Sequence, residues 1–399
     1  MRGIPGGVTA ALGFRASGIS SGIKPSGEPD LALVATGAPA AAAGVFTENL
    51  VRAAPVLVSQ SRLRKGSARA VLINSGCANC LTGAVGIRDA RRLSRAVARE
   101  LGIAEDEILV ASTGIIGRRL PVPQVERALP RLVKQLSRAH HAAAAQAILT
   151  TDLRVKEAAV ETAIQGRPCR IGGMAKGAGM IAPSMATMLG VITTDVAVAP
   201  GLLRRLLAQA VARTFNRISV DGDMSTNDTV FALASGRSRV SVREGSRGAR
   251  AFGQALQAVA GRLATLLIKD GEGAGKIAKI RVAGGRTDRE AQACARRVAE
   301  SLLVKTMLAG GDPNVGRIAA AVGASGARFD PRRLDVLIGA ERIISRGAAR
   351  RLGTAAMRKL LAAPDVQIGI HLHAGRGEGR MMTCDLTEEY VRINARYST

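Results

Sequence analysis

The sequence has no tryptophan, two tyrosines and six phenylalanines in 399 residues. Aromatic platforms on which the bases of a nucleic-acid strand would stack are therefore scarce. Acidic side chains are also few: 31 Asp and Glu face 57 Lys and Arg, for a net charge of +26. Such a surplus invites a nucleic-acid reading. The arginines, however, are spread out, in pairs such as Arg91-Arg92, Arg204-Arg205, Arg296-Arg297 and Arg350-Arg351, each on a segment of helical periodicity. A solvated polar face accounts for each pair, and net charge speaks to non-specific association rather than to a specific partner. No specific nucleic-acid partner is expected. No run approaches the ~18 uncharged apolar residues needed to cross a bilayer, and Met1-Arg-Gly-Ile-Pro-Gly-Gly7 lacks the apolar block of a secretory signal. No membrane is expected, and the cytoplasm is the expected compartment. The five cysteines do not make a disulfide set. Cys77 and Cys80 form a C-x-x-C, but no second pair or neighbouring histidine completes a metal site, and Cys169, Cys294 and Cys384 are isolated. His371 and His373 alternate on an expected strand and are too few to bind a metal.

What is there is a large globular chain. Hydrophobic residues make up 47%, and the length suggests two or three folding units. Residues 1–60 read as short strands and turns. Strands are expected at Ala70–Ile73, Ile108–Val110, Met188–Ile192, Ile218–Val220, Ile277–Val282, Leu334–Ile338 and Val366–His373. Helices are expected at Ile87–Leu101, Pro123–Leu149 with an interruption at Pro130, Pro200–Arg213, Ala249–Ile268 and Ala348–Ala363. One more runs from the capping-box signature Thr287-Asp-Arg-Glu290 through Met307. The pattern is α/β or α+β. A catalytic core of roughly 1–276 is expected, then a smaller unit of roughly 277–389 and a tail of 390–399.

The most informative segment is Lys176-Gly-Ala-Gly-Met-Ile-Ala-Pro-Ser-Met-Ala-Thr-Met-Leu-Gly-Val-Ile-Thr-Thr-Asp195. It sets an Ala186–Thr187 bond directly before an apolar run. If that bond breaks, Thr187 gains a free α-amino group beside its own hydroxyl. A hydroxyl is a weak nucleophile unless a base adjoins it, and an N-terminal amine can be that base. Its ordinary pKa of about 7.7–8.0 leaves a useful neutral fraction near physiological pH. Gly173, Gly177, Gly179 and Pro183 suit a bent, closely approached loop. Read alone, these residues equally describe a glycine-rich loop entering a core strand.

Other candidates carry the same ambiguity. Ser112-Thr-Gly-Ile-Ile-Gly117 ends a strand, where the Thr113 hydroxyl and Gly114 N–H could meet at an oxyanion; a plain strand-terminating turn reads the same. Lys176 could bind a carboxylate or be an exposed loop lysine. Glu272, between two glycines in Asp270-Gly-Glu-Gly273, could receive an ammonium group or shuttle a proton, or be a solvated acid in a turn. The C-terminus, from Asp385 to Thr399, reads as a frayed tail.

These segments together resemble the bifunctional glutamate N-acetyltransferase / ornithine acetyltransferase family of arginine biosynthesis. Its cleavage pattern is Lys-Gly-x-Gly-Met-Ile-x-Pro-x-Met-Ala-Thr-Met-Leu. The resemblance runs from Gly6-Gly7-Val8-Thr9 through Phe46-Thr-Glu-Asn49, Ala53-Ala-Pro-Val56 and Asn74-Ser-Gly76 to the last residue. It implies a self-processing, N-terminal-nucleophile-type layered α/β core. The chain would be cut into 1–186 and 187–399, with Thr187 as nucleophile and Thr113 and Gly114 as oxyanion hole. Substrate would be held by Lys176, Glu272, Asn394, Thr399 and, through a Thr-Thr-Asp segment, Thr151. It also implies transfer of acetyl from N-acetylornithine to glutamate, no metal or organic cofactor, and a heterotetramer of two α and two β chains. Acetyl-CoA as a further donor stays open. The sequence departs from the family pattern at Leu153, Gly275 and Val315, which leaves the acyl-donor preference open. The alternatives are a related self-cleaving aminopeptidase and a basic nucleic-acid-binding protein.

Overall fold

A computed structural model describes residues 1–182, 188–350 and 353–396. In chain order the first strands are β1 Arg2–Gly3, β2 Phe14–Ile19, β3 Leu31–Phe46, β4 Ser67–Asn74, β5 Ile108–Ser112 and β6 Lys156–Ile164. There follow β7 Arg167–Lys176, β8 Leu189–Thr194, β9 Ala197–Val198, β10 Ile218–Ser219, β11 Thr229–Ala234 and β12 Ser241–Val242. The last are β13 Ile277–Gly285, β14 Asp335–Ile338, β15 Glu341–Ser345, β16 Ala348–Ala349, β17 Asp365–His371 and β18 Gly377–Cys384. The helices begin with α1 Ala54–Arg62, α2 Gly83–Leu101, α3 Val122–Lys134, α4 His141–Ala147, α5 Pro200–Arg213 and α6 Arg247–Lys269. They end with α7 Asp288–Ala299, α8 Leu302–Gly310, α9 Gly316–Gly323, α10 Thr354–Leu361 and α11 Glu388–Arg396.

The fold is mixed α/β, with two main sheets and separate cores. The first sheet runs β1-β6-β7-β8-β11-β3-β4-β5, with β2 also on β3. Alternation along its strands sends side chains to opposite faces. Val230 and Ala232 of β11 pack toward Phe252, Leu256, Val259 and Leu263 of α6. Phe231 and Leu233 face the other way, into a core shared with Ala32, Val34, Val71 and Ile73 of β3 and β4. Leu31 and Leu33 turn in the opposite direction, to Leu93 and Val97 of α2 and Val125 and Leu129 of α3. The result is a layered core: helices α5 and α6, two facing regions of sheet joined through the long β3, then helices α1 to α3. Helix α6 reaches a mean hydropathy of 1.3 over a bilayer-length window, and its apolar face is spent on this core.

The second sheet runs β10-β18-β13-β17-β14-β15-β16. It closes its own core with Ala291, Val298, Met307, Ile318 and Leu361. Its first strand, β10, comes from the first unit and pairs Ile218 with Met382 of β18, so the two units share a seam.

Several boundaries differ from the expected ones. Pro130 lies inside α3, which continues to Lys134; the break comes at Gln135, and a separate helix begins at His141. Helix α1, started by Pro55, lies at the end of a region expected to hold only short strands and turns. The expected helix from Thr287 to Met307 is two, because the Ser301 side chain caps a new start by accepting from Val304 N. Within the expected helix 348–363, Ala348–Ala349 is a strand and the helix α10 runs Thr354–Leu361. Arg346 at φ 48° and Gly347 at φ 75° make a turn that returns Ala348 and Ala349 to β15. Gly173 lies in β7 rather than in the loop. His373 lies beyond β17 at φ 50°, and its ring sits against that of His371, tilted by 44° with centroids 3.8 Å apart. The described part of the tail, to Arg396, lies in α11.

Candidate active site

Strand β7 ends on Lys176, which pairs with Leu189 at the start of β8. The glycine-rich segment thus leaves and re-enters the sheet between neighbouring strands. Ala186 and Thr187, the expected cleavage pair, lie outside the described residues, as does Thr399. The rest of the site flanks the two ends of that segment.

Lys176 is buried rather than a solvated loop lysine. Its Nζ donates to Thr150 Oγ1 at 2.7 Å and to Thr113 Oγ1 at 3.3 Å. Asp152 Oδ2 is 3.8 Å away. Asp152 accepts from Gly177 N at 2.6 Å and from Lys156 Nζ at 2.6 Å. Lys156 reaches on to Asp270 at 2.5 Å. Burial alone would push the Asp152 carboxyl up, but Lys176, Lys156 and the Gly177 N–H bring it down to about 2. Burial lowers the Lys176 ammonium and Lys156 adds to that, while Asp152, Glu272 and Asp228 pull it back up. A buried cation that can lose its proton more readily than an exposed one is thus fixed beside Thr113.

Thr113 follows β5, and its N–H donates to Asn74 O at 3.0 Å. Gly114 has φ 128°, and a Cβ there would run into the Gly76–Cys77 peptide. The turn therefore requires glycine. Behind it, Asn227 Nδ2 bridges Ala78 O at 2.7 Å and Ser112 O at 2.8 Å, and Ser112 Oγ donates to Asn74 Oδ1 at 2.6 Å. Asp228 is fully buried; its Oδ1 accepts from Met188 N at 2.9 Å. Its Oδ2 has no partner among the described residues. Burial pushes this carboxyl well above the usual range, against the pull of the Met188 N–H and Lys176.

On the other side of the segment, Glu272 N donates to Ala178 O at 2.9 Å, and the Glu272 carboxylate lies where a Cβ on Gly179 would sit. Asn394 of α11 donates to Glu272 Oε2 at 2.7 Å. The helix is fastened there by Thr387 Oγ1 to Gly273 O at 2.7 Å and by Asp385 Oδ1, which accepts from Gly275 N at 2.9 Å.

The structure thus brings together Thr113, Gly114 and Lys176 on one side and Glu272 and Asn394 on the other. Thr150, not Thr151, holds the lysine. Thr151 instead lines a neighbouring pocket of about 810 Å³ with Leu153, Gly273, Gly275, Glu389 and Ile393. Two of the positions that depart from the family pattern, Leu153 and Gly275, share this pocket. The third, Val315, packs against the C-terminal core. Asp152, Asn227 and Asp228 were not singled out from sequence. Their signal was present in Thr150-Thr-Asp152 and in Asp221-Gly-Asp-Met-Ser-Thr-Asn-Asp228, but their partners come from distant strands.

The ArgJ family model matches residues 15–399. The chain belongs to the ArgJ family. It is 46% identical to "Arginine biosynthesis bifunctional protein ArgJ" of Gloeobacter violaceus, covering 99% of this chain and 98% of that protein. The same identity, 46%, holds with the protein of that name from Symbiobacterium thermophilum, with 100% of each covered. Among solved structures, an ornithine acetyltransferase from Mycobacterium tuberculosis complexed with ornithine is 43% identical over 46% of this chain and 98% of that one, with a TM-score of 0.44. Family membership makes the chain an acyltransferase of arginine biosynthesis that acts on small molecules. The aminopeptidase and nucleic-acid readings give way to it.

Proposed function

We propose that the chain transfers acetyl from N-acetylornithine to glutamate through an acetyl ester on Thr187. The observation that carries this reading is the buried Lys176, paired with the Thr113 hydroxyl at 3.3 Å where the cleavage segment leaves the sheet. In the first stage Thr187 Oγ attacks the Ala186 carbonyl carbon. The acyl group shifts from nitrogen to oxygen, and water hydrolyses the ester. Ala186 then ends in a carboxylate, and Thr187 carries a free amine.

In the second stage the Thr187 amine takes the hydroxyl proton as Oγ attacks the acetyl carbonyl of N-acetylornithine. Thr113 Oγ and Gly114 N–H stabilise the oxyanion. The C–N bond breaks, the proton passes to the leaving amine, and ornithine departs. The amine of glutamate attacks the ester, and the threonine hydroxyl is restored. Lys176 serves the substrate carboxylate, and Glu272, Asn394, Thr399 and, at the adjoining pocket, Thr151 complete the binding set. The steps proposed need no metal or organic cofactor. The working form is a heterotetramer of two fragments 1–186 and two fragments 187–399, in the cytoplasm.

The test is a two-substrate rate series. Parallel double-reciprocal lines, with labelled acetyl retained on the fragment that begins at Thr187, are expected. Intersecting lines with no labelled fragment would contradict the acetyl-enzyme.

A further inference from the structure

Asp221 has no part in the steps above, yet it ties two arms of the site together. It lies just past β10, in the turn Asp221-Gly-Asp223. Its Oδ2 accepts from Met180 N at 2.6 Å and its Oδ1 from Ile181 N at 2.9 Å. The Asp223 N–H adds a contact to Oδ1 at 3.2 Å. Oδ2 also accepts from the Tyr390 hydroxyl of α11 at 3.3 Å.

Each arm has a reason to need this anchor. Met180 stands at φ 51°, a left-handed conformation that a side chain adopts at a cost and that its surroundings must hold. The segment leads toward the cleaved bond, and Ile181 O is gripped from the same side by Val220 N at 2.7 Å. On the other arm, Tyr390 and Asn394 are four residues apart on α11 and share a face. Asn394 Nδ2 donates to Glu272 Oε2 at 2.7 Å, and Glu272 N returns to Ala178 O at 2.9 Å. The contacts close a ring: loop, Asp221, Tyr390, Asn394, Glu272, loop. Burial pushes the Asp221 carboxyl up to about 6, while the Asp223, Met180 and Ile181 N–H groups pull it down. An acid is thus kept where ionising it is costly.

We infer that Asp221 is a positioning residue that locks the segment before the cleaved bond onto the C-terminal helix and thereby sets Glu272 and Asn394 for the amino-acid substrate. The functional half of this inference rests on the reading that those two residues bind substrate. The latch itself does not.

The experiment combines hydrogen exchange and kinetics on the full protein. Asp221→Asn should speed amide exchange in both 178–182 and 388–396, and Tyr390→Phe should speed it in 388–396. Each substitution should raise KM for glutamate about tenfold with kcat changed less than about threefold, the effect of losing one hydrogen bond to a charged acceptor. The double variant should lie well short of the product of the two, because they break one link. Faster exchange in only one segment of Asp221→Asn, or KM effects that multiply fully, would overturn the latch. Should Asp221→Asn not fold, Tyr390→Phe decides: wild-type exchange in 388–396 overturns it. Glu272→Gln and Asn394→Ala are measured alongside. Wild-type KM in both would remove the substrate reading, and the exchange data would still decide the latch.

Discussion

At the scale of single residues the site depends on burying charges that hold one another. Lys176, Asp152, Lys156 and Asp270 form a chain of ion pairs at 3.8, 2.6 and 2.5 Å. Removing one member leaves its neighbour uncompensated in a low-dielectric interior. We therefore expect Asp152→Asn to cost ~3–5 kcal/mol of stability at neutral pH, measured by urea unfolding. The acid dependence follows from the Asp152 carboxyl standing at about 2 in the fold against an ordinary 3.8. A lowered carboxyl stabilises the fold above its unfolded value and loses that contribution as pH falls toward 2. The stability gap between wild type and Asp152→Asn should narrow as pH falls from about 4 to 2; a constant gap would contradict the assignment. Thr113→Val keeps the shape and removes the hydroxyl. It should lower kcat by about 10²–10³-fold in a transfer assay, the usual cost of one oxyanion donor.

Thr113, Gly114, Lys176 and Glu272 stand in local motifs that make them candidates, whereas Asn394 is a candidate through the family resemblance alone. What could not be read was which hydroxyl Lys176 would take. Thr150 and Thr151 are adjacent and identical in type, and only the end of β7 selects the first. Asp228 and Asn227 carry no local signal of their partners for a similar reason: Met188, Ala78 and Ser112, which they bind, are remote in sequence.

At the scale of elements, segments whose signals are local were legible and those settled by pairing were not. Helix α5 runs from Pro200 to Arg213 as expected, because proline at its start and an apolar stripe lie within the segment. Residues 348–353 carry helix-compatible alanines and arginines, but the Arg346-Gly347 turn returns Ala348 and Ala349 to β15. The C-terminal tail reads as frayed because nothing in Glu388–Arg396 shows its partners. Thr387 on Gly273 and Asn394 on Glu272 make it part of the site. Asn394→Ala should therefore raise KM for glutamate about tenfold, on the scale of one lost hydrogen bond to a charged group. Wild-type steady-state kinetics would detach α11 from substrate binding.

At the scale of the whole molecule, the proposed cut falls between strands that are hydrogen-bonded neighbours. Strand β7 pairs with β8 from Ile171–Thr194 to Lys176–Leu189, and β3 pairs with β11 from Phe46–Thr229 to Ala41–Ala234. Fragments 1–186 and 187–399 would share those ladders and the buried faces of the first core. Cleavage should leave them together, so a native mass below 41.3 kDa would contradict this packing. The excess of arginine has no structural explanation beyond scattered surface ion pairs such as Arg92–Glu126 and Arg281–Glu378.

The measurement that bears most directly on the central claim is intact mass under denaturing conditions, for wild type and for Thr187→Ala. Two fragments meeting at Ala186/Thr187 are expected in the wild type and a single uncut chain in the variant. An uncut wild-type chain, or a variant that is still cut there, would contradict Thr187 as the nucleophile.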